Sequence, residues 1–324
     1  MAVTVAEITK LRHPTSAGLM DCKKALAETN GDIEAAVEIL RKKGQAVAAK
    51  REDREASEGC VLAKNEGTFA AIVALKCETD FVAKNAGFVA LTQKILDAAV
   101  AAQAKSIDEV KAIVLDGRTI ADLITEEVGK TGEKMEIGAY EYVEAASVTS
   151  YNHLGNKLST IAGFNQADVD YQVGRDVAMQ VASMNPVAVD RESVPAHVVE
   201  SERNVAIEKT KEEQVKKAVE AALRKAGINP AHVDSEAHIE SNMTKGWITA
   251  EDADKARAII KETAEAKANN LPEAMIQNIA TGRVNKFYKE SCLMEQEFVK
   301  DSSMTIGQYL ERLRRVLWQL ASSV

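Results

Sequence analysis

Two consecutive runs of alternating apolar and polar residues restrict the fold more than any other feature of this sequence. They cover residues 59–64 and 68–77, and residues 65–67 between them contain the glycine of a hairpin turn. Period-two alternation is typical of a strand that buries one face. The sequence therefore predicts an antiparallel hairpin that needs a second layer over its apolar face. The residues predicted on that face are Phe69, Ala71, Val73, Leu75 and Cys77.

Helical patterns after the hairpin supply this second layer. Apolar residues recur at helical spacing from about Ala86, and Ser106 followed by Glu109 has the pattern of a capping box at the start of another helix. Alternation returns at residues 134–142 and 146–164. Aromatic residues make up only 4% of the chain, which favours helices over a sandwich or a barrel. We therefore predict an α+β fold.

A second hairpin and a further helix predict a second α+β subdomain. Residues 153–156, His153-Leu154-Gly155-Asn156, lie between two alternating runs and are predicted to form the tip of this hairpin. A helical pattern over residues 170–184 then stops before Pro186. The order of strands and helices thus repeats in outline, which predicts a core of two related subdomains.

The start of the chain predicts a small three-helix module. A proline and the turn Asn30-Gly31 separate three segments with helical spacing. The third predicted helix begins at an Asp32 N-cap and ends at Gly44. Residues 45–57 are polar and highly charged, and we predict a linker or an exposed helix there.

A long, highly charged stretch covers residues 193–289 and is helical in pattern, with Pro230 and Pro272 as breaks. A helical hairpin that projects from the core and an ordinary solvated helical domain both agree with this pattern. The predicted domains are a helical module (1–44), a linker (45–57), a first core subdomain (58–145), a second core subdomain with the C-terminal segment (146–192 and 279–324), and a helical, coiled-coil insertion (193–278).

Charge and cysteine spacing argue against several classes of function. The chain carries 41 basic and 49 acidic residues, so its net charge of −8 offers no general attraction to nucleic-acid phosphates. The four cysteines are far apart and form no Cys-x-x-Cys pair, which argues against a structural zinc site and a disulfide framework. The sequence shows neither a long apolar membrane segment nor an N-terminal leader. We expect a cytoplasmic protein without direct contact to nucleic acid or membrane.

Motifs of nucleotide-binding and hydrolytic enzymes are missing from the sequence. It contains no phosphate-binding glycine loop, no dinucleotide-binding turn, and no zinc-protease or serine-hydrolase motif. We expect neither an enzyme nor a bound cofactor or metal. Two alternatives stay open. Glu78, Asp80 and His153 could act together in a hydrolase if they met in one pocket, and the N-terminal module could serve a non-catalytic adaptor that binds a ubiquitin-like partner.

The segment after the first predicted hairpin is the best candidate for a functional site. Residues 77–82 leave a buried strand and place a carboxylate beside a large apolar ring at a strand-to-helix junction, where loops often carry function. The structural alternative is that Thr79 or Asp80 caps the next helix while Phe81 packs as a hydrophobic staple. Both roles could coexist.

Three motifs resemble those of the translation elongation factor Ts (EF-Ts) family and occur in the family's order. Weaker matches continue as far as Gln308. Two regions depart from the family pattern: residues 194–278 are longer than the family's usual coiled-coil arm, and residues 312–324 resemble no familiar family motif. The three motifs are Leu11-Arg12 to Leu26 with Gly31-Asp32 and residues 40–44, Cys77-Glu78-Thr79-Asp80-Phe81-Val82-Ala83-Lys84-Asn85, and Ser150-Tyr151-Asn152-His153.

This resemblance implies a guanine-nucleotide exchange factor for the GTPase EF-Tu, with a ubiquitin-associated-like N-terminal module, a two-part α+β core and a coiled coil. In the family, the residues that match Asp80 and Phe81 enter the partner's nucleotide domain near its magnesium site. The residue that matches His153 contacts the same domain, and the N-terminal module docks there too. A homodimer within the factor–GTPase complex agrees with the resemblance. The implied partner-binding residues are Thr79, Asp80, Phe81, Val82, His153, Leu11, Arg12 and Met20.

Overall fold

The structure, a computed structural model, describes the backbone of residues 3–15 and 17–321, and side chains up to residue 313. The chain divides into two units, Met1–Met184 and Asn185–Val324. Helices and antiparallel strands occur together, so the predicted α+β class is confirmed. The predicted pairing of residues 146–192 with 279–324 in one subdomain stays a prediction.

The first unit begins with a three-helix module whose apolar faces meet in a small core. Leu11 and Leu26 are fully buried in this core. Asp32 caps the third helix as predicted, because the Ala35 N–H donates to its carboxylate at 3.1 Å. The helices of the module are α1 (Val5–Thr15), α2 (Leu19–Glu28) and α3 (Ile33–Lys50).

The prediction that the third helix ends at Gly44 is wrong, because α3 continues to Lys50. Gly44 lies where α3 crosses α7 (Ile120–Thr131), and a Cβ built on Gly129 of α7 would lie 2.7 Å from the Gly44 Cα. The glycine therefore permits close helix packing and does not end the helix. The following turn also packs against the main core of this unit through Val47, so the first residues of the predicted linker are helical.

A three-stranded antiparallel sheet forms the centre of this unit, in the order β1-β2-β5. The predicted apolar face of the first hairpin is confirmed, since all five of its residues are buried. Gly67 has a φ of +59°, which a glycine adopts without strain in the hairpin turn. The strands are β1 (Glu58–Glu66), β2 (Phe69–Cys77) and β5 (Met135–Glu144).

Helices between β2 and β5 cover this sheet, together with a short hairpin. The predicted cap at Ser106 is present, because its hydroxyl accepts from the Glu109 N–H at 3.2 Å. The capping box is incomplete, however: the Glu109 carboxylate accepts from Lys105 N–H and not from Ser106. The elements are α4 (Asp80–Ala83), α5 (Ala86–Ala101), α6 (Ile107–Ala112), β3 (Val114–Leu115), β4 (Arg118–Thr119) and α7.

The last part of the first unit is a second hairpin followed by a helix, as predicted. These elements are β6 (Ser147–Asn152), β7 (Ser159–Phe164) and α8 (Tyr171–Met184). The Thr160 hydroxyl donates to the Ala178 carbonyl at 2.8 Å, which joins β7 to α8.

The second unit is mainly helical, in agreement with the predicted pattern of residues 193–289. The predicted helices and both proline breaks are confirmed: Pro230 begins a single 3-10 turn, and Pro272 precedes the next long helix. The end of the first long helix and the two helices after it enclose a small apolar core that includes Leu223, Ile239 and Ala256. The elements are α9 (Ala196–Lys225), α10 (Glu236–Thr244), α11 (Ala250–Asn269), α12 (Glu273–Ser291), β8 (Glu297–Phe298), β9 (Asp301–Thr305) and α13 (Ile306–Ala321).

Candidate functional site

The candidate segment begins where β2 leaves the buried sheet. Cys77 is the last residue of β2, and Thr79 forms the N-cap of the one-turn helix α4, with its hydroxyl 3.4 Å from the Val82 N–H. Asp80 and Phe81 therefore occupy the first turn of α4, and Ala83 at its end is buried. The capping role predicted for Thr79 is confirmed.

Phe81 does not pack as a hydrophobic staple, so that part of the structural alternative is wrong. Its side chain is 85% exposed, whereas the neighbouring strand buries its apolar residues. Exposing a phenylalanine ring leaves its hydrophobic contribution to folding largely unused. An apolar ring held in solvent on an ordered turn is available for contact with a partner.

Asp80 forms an ion pair on the same exposed turn. The Lys84 ammonium donates to its carboxylate at 2.6 Å. This hydrogen bond, together with the charge of Lys84, lowers the pKa of the Asp80 carboxyl, and the more remote charge of Lys157 acts in the same direction. Asp80 is therefore an anion at neutral pH, placed one residue before an exposed aromatic ring.

Two glutamates hold the beginning of this segment against the sheet. The Glu78 carboxylate accepts from the Lys134 N–H at 2.7 Å and pairs with Arg54 at 2.9 Å, and the backbone hydrogen bond is the main cause that lowers its pKa. Glu133 accepts two hydrogen bonds from Thr79. Sequence reasoning missed Glu133, because it lies 54 residues from Thr79 and belongs to no local motif.

His153 is exposed at the tip of the β6–β7 hairpin, as its position between two alternating runs predicted. Its Nδ1 lies 2.8 Å from the Tyr151 hydroxyl, which orients the imidazole ring. Leu154, the next residue, is 92% exposed. Sequence reasoning did not single out Leu154, although an apolar residue in a hairpin turn was a usable signal.

Hydrogen bonds between the hairpin and β1 fix the position of this tip. The Asn152 side chain accepts from the Ala63 N–H at 2.7 Å and donates to the Ala63 carbonyl at 2.9 Å. The Val61 N–H donates to the Asn156 carbonyl at 2.8 Å. An asparagine side chain that pairs with the N–H and the carbonyl of one residue substitutes for a neighbouring strand.

The hairpin tip and the candidate segment lie at the same end of the sheet. Glu58, the first residue of β1, stands opposite Cys77, the last residue of β2. Lys157 of the hairpin turn forms an ion pair with Glu58, and its charge also contributes to lowering the pKa of Asp80. The structure therefore brings Phe81 and His153, which are 72 positions apart, to one edge of the first unit.

The N-terminal residues that the resemblance implied as partner-binding differ in their exposure. Leu11 is fully buried in the core of the helical module, so its side chain is not available to a partner and its implied contact role is not supported. Arg12 is exposed and donates from Nε to the Ala17 carbonyl at 3.2 Å. Met20 is 58% exposed beside the exposed Leu19. This module therefore offers an apolar surface at Leu19 and Met20.

The geometry gives no support to the hydrolase alternative. Glu78, Asp80 and His153 are each occupied by a different neighbour: Arg54, Lys84 and Tyr151, respectively. Within the part of the chain that the structure describes, no group of three or more His, Cys, Asp or Glu could hold a metal ion. In the same residues, no helix is long and apolar enough to cross a membrane.

Comparison with known proteins identifies the family. The sequence model described as "Elongation factor TS" matches residues 78–226 and 220–322, so the C-terminal segment that resembled no familiar motif is matched almost to its end. Curated relatives named "Elongation factor Ts" are similar over nearly their whole length. The relative from Parabacteroides distasonis is 60% identical over 322 residues, covering 99% of this chain and 97% of its own. The relative from Phocaeicola vulgatus is 61% identical over 96% of this chain and 94% of its own.

A more distant relative, from Azobacteroides pseudotrichonymphae, is still 42% identical over 98% of this chain and 95% of its own. An alignment of 322 residues necessarily includes the long helical region of the second unit. The family model and these relatives together cover both units. The chain therefore belongs to the elongation factor Ts family.

Proposed function

We propose that this translation elongation factor is a guanine-nucleotide exchange factor for EF-Tu, acting through the segment that carries Asp80 and Phe81. Family membership provides the role in translation elongation. The observation that carries the finer proposal is the 85% exposure of Phe81 on a turn anchored by hydrogen bonds on the sheet side. Such a turn can present an apolar ring to a partner without first having to order itself.

The proposed mechanism is a local disturbance of the partner's GDP site. GDP bound to a GTPase depends on Mg²⁺ and on backbone amides that hold its phosphates. In this proposal Phe81 is inserted beside that site and displaces the elements that carry the magnesium ligands. Asp80 adds a negative charge, which repels the GDP phosphates and so weakens their binding. Thr79 and Val82, both half-buried, support the turn and do not provide the main contact.

Linkage determines how such a protein can work without an energy source. If binding of the factor lowers the affinity of EF-Tu for GDP by a given ratio, then bound GDP must lower the affinity of EF-Tu for the factor by the same ratio. The complex with GDP is then unstable, and release of GDP leaves a nucleotide-free complex to which GTP can bind. An exchange factor therefore needs contacts that are strong in the nucleotide-free complex and strained in the GDP complex.

Two further surfaces of the first unit would orient the factor on its partner. His153 and the exposed Leu154 lie at the same edge as Phe81, and Leu19 with Met20 form an apolar surface on the helical module. Several contacts of moderate strength can hold Phe81 at one position on the partner. A homodimer within the complex and the absence of nucleic-acid contacts both stay predictions.

The test is the release of a fluorescent GDP analogue from purified EF-Tu by catalytic amounts of the protein. We expect the wild type to accelerate GDP release clearly. Phe81→Ala should lose this exchange activity by about 10-fold to 100-fold, as for a central interface residue. Because the ring is exposed, the stability of this variant should change by less than about 0.5 kcal/mol. The Asp80→Ala, Phe81→Ala double variant should be at least as inactive.

Tyr171→Ala is the matched control, since Tyr171 is another aromatic residue of the same unit and is 73% exposed. Its exchange activity should equal that of the wild type. A wild type that does not accelerate GDP release would contradict the exchange function and favour an adaptor. Normal activity of a folded Phe81→Ala variant would contradict the role of this segment alone.

A further inference from the structure

Two carboxylates cross-link the loop after β2 to the loop before β5. The Glu78 carboxylate accepts from the Lys134 N–H at 2.7 Å. In return, Glu133 accepts from the Thr79 N–H at 3.0 Å and from the Thr79 hydroxyl at 2.6 Å. Each loop thus supplies one carboxylate and receives one, and three charge-assisted hydrogen bonds join two short segments.

These bonds lie where the backbone ladder of the sheet stops. The final pair between β2 and β5 is Cys77 with Met135. Continuing this register by two positions would place Glu78 opposite Lys134 and Thr79 opposite Glu133. Side-chain carboxylates therefore replace backbone carbonyls at the next two positions, and they fix the chain beyond the end of the ladder.

Thr79 passes this constraint on to the turn that carries Phe81. Its hydroxyl donates to Glu133, which leaves an oxygen lone pair directed towards the Val82 N–H as the helix cap. The helix α4 has only four residues, too few to be stable by its own hydrogen bonds. The exposed Phe81 side chain makes too few packing contacts to fix the conformation of the turn. Glu133 is thus the principal side-chain anchor of the first turn.

We propose that Glu133 is a positioning residue for nucleotide exchange, because its two hydrogen bonds to Thr79 orient the turn that presents Asp80 and Phe81. This inference rests on the exchange function proposed above. Loss of Glu133 leaves Ala83 buried and Glu78 bound to Arg54 and the Lys134 backbone. The segment then stays attached to the sheet while its first turn becomes less ordered, so the fold is retained.

The first experiment measures amide hydrogen exchange in the full-length protein alone and does not depend on EF-Tu. In Glu133→Ala, the amides of Thr79 and Val82 should exchange roughly 10-fold faster, because the charged acceptor that orders Thr79 is removed. The amide of Ile95, in the core of α5, should be unaffected. Unchanged protection of the two amides would overturn the proposed anchoring.

The second experiment measures the kinetics of GDP release at increasing concentrations of EF-Tu·GDP. When the turn is less ordered, only a fraction of the molecules have the conformation that binds EF-Tu. The KM of Glu133→Ala should therefore rise about 10-fold, while kcat changes less. Partial unfolding would instead lower kcat at unchanged KM. Glu133→Gln keeps one acceptor oxygen and should recover part of the loss.

Glu109→Ala is the matched control, because Glu109 also accepts from a backbone N–H, that of Lys105, ahead of a short helix outside the site. It should leave exchange unchanged. Faster amide exchange in Glu133→Ala with unchanged KM would overturn the positioning role. A wild type without exchange activity would overturn the proposed function and this role together, while the amide measurement would still show whether Glu133 orders the turn.

Discussion

Cys77 and Phe81 lie four residues apart and have opposite surroundings. Cys77 is fully buried at the end of β2, and burial raises the pKa of its thiol to about 11. Phe81 stands in solvent on α4. A well-packed strand and an exposed apolar ring are therefore separated by only the loop that Glu78 and Glu133 anchor. This separation allows changes at the exposed turn without loss of the core.

The buried thiols lead to a prediction about reactivity. All four cysteines are buried, and burial raises the pKa of each, so the reactive thiolate is scarce and inaccessible at neutral pH. Ellman's reagent should react slowly with the folded protein and with all four thiols in guanidinium chloride. Fast reaction of a thiol in the native protein would contradict the burial described for it.

At the scale of secondary-structure elements, the crossing of α3 and α7 connects the N-terminal module to the rest of the first unit. The two backbones approach at Gly44 and Gly129, which leaves no room for a side chain on Gly129 and little for one on Gly44, where a Cβ would lie 3.3 Å from the Thr125 carbonyl oxygen. The position of Arg12 and Met20 relative to Phe81 therefore depends on two glycines. A helix that continues through Gly44 is also a stiffer connection than a flexible linker, one of the two alternatives predicted for residues 45–57.

Gly129→Ala should destabilise the protein by about 1–3 kcal/mol, because the new Cβ would lie 2.7 Å from the Gly44 Cα, on backbone that cannot rotate away. Gly282→Ala is the matched control in α12, since a Cβ there meets nothing within 4 Å. It should stabilise by roughly 0.5–1 kcal/mol through helix propensity. Urea unfolding followed by circular dichroism measures both. Equal stabilisation by the two substitutions would show that the helices do not meet at these glycines.

At the scale of the whole molecule, carboxylates with lowered pKa values occur in both units. The backbone hydrogen bond from Lys134 lowers the pKa of Glu78, the Thr119 hydroxyl lowers that of Asp122, and Arg191 lowers that of Glu295. Each group binds protons more weakly when folded than when unfolded. Its contribution to the stability of the fold is therefore complete at pH values above its ordinary pKa in the unfolded chain. The contribution is lost as the pH falls through its lowered pKa in the folded protein.

We therefore expect the urea midpoint of the wild type to fall as the pH drops below about 4.5, the ordinary pKa of a glutamate. Glu78→Gln should be less stable than the wild type at pH 7 and should approach it at low pH, because the wild-type carboxylate is then protonated too. Parallel curves for the two proteins over the whole range would contradict a lowered pKa of Glu78.

Patterns that depend on near neighbours were predicted correctly. The buried face of β2, the helix Ala196–Lys225 and the hairpin tip at His153 follow from alternation, helical spacing and turn residues within about ten positions. The strand-to-helix junction also singled out the segment that contains Asp80 and Phe81, and the resemblance added its implied contact with a partner. The wrong helix end at Gly44 has a physical cause, because a glycine has the same local pattern whether it ends a helix or packs against another helix. The contact role of Leu11 came from the resemblance and stays a prediction, and the structure buries its side chain.

The sequence by itself determined the α+β class, most helices and strands, and the family, because each of these is encoded in short-range periodicity or contiguous motifs. Only the tertiary structure decided which side chains are presented and what holds them. Glu133 reaches Thr79 across 54 positions and Asn152 reaches Ala63 across 89, and both contacts depend on strand register and on the direction of a loop. The exposure of Phe81 depends in the same way on chain segments far from it in sequence, so no local pattern could have specified it.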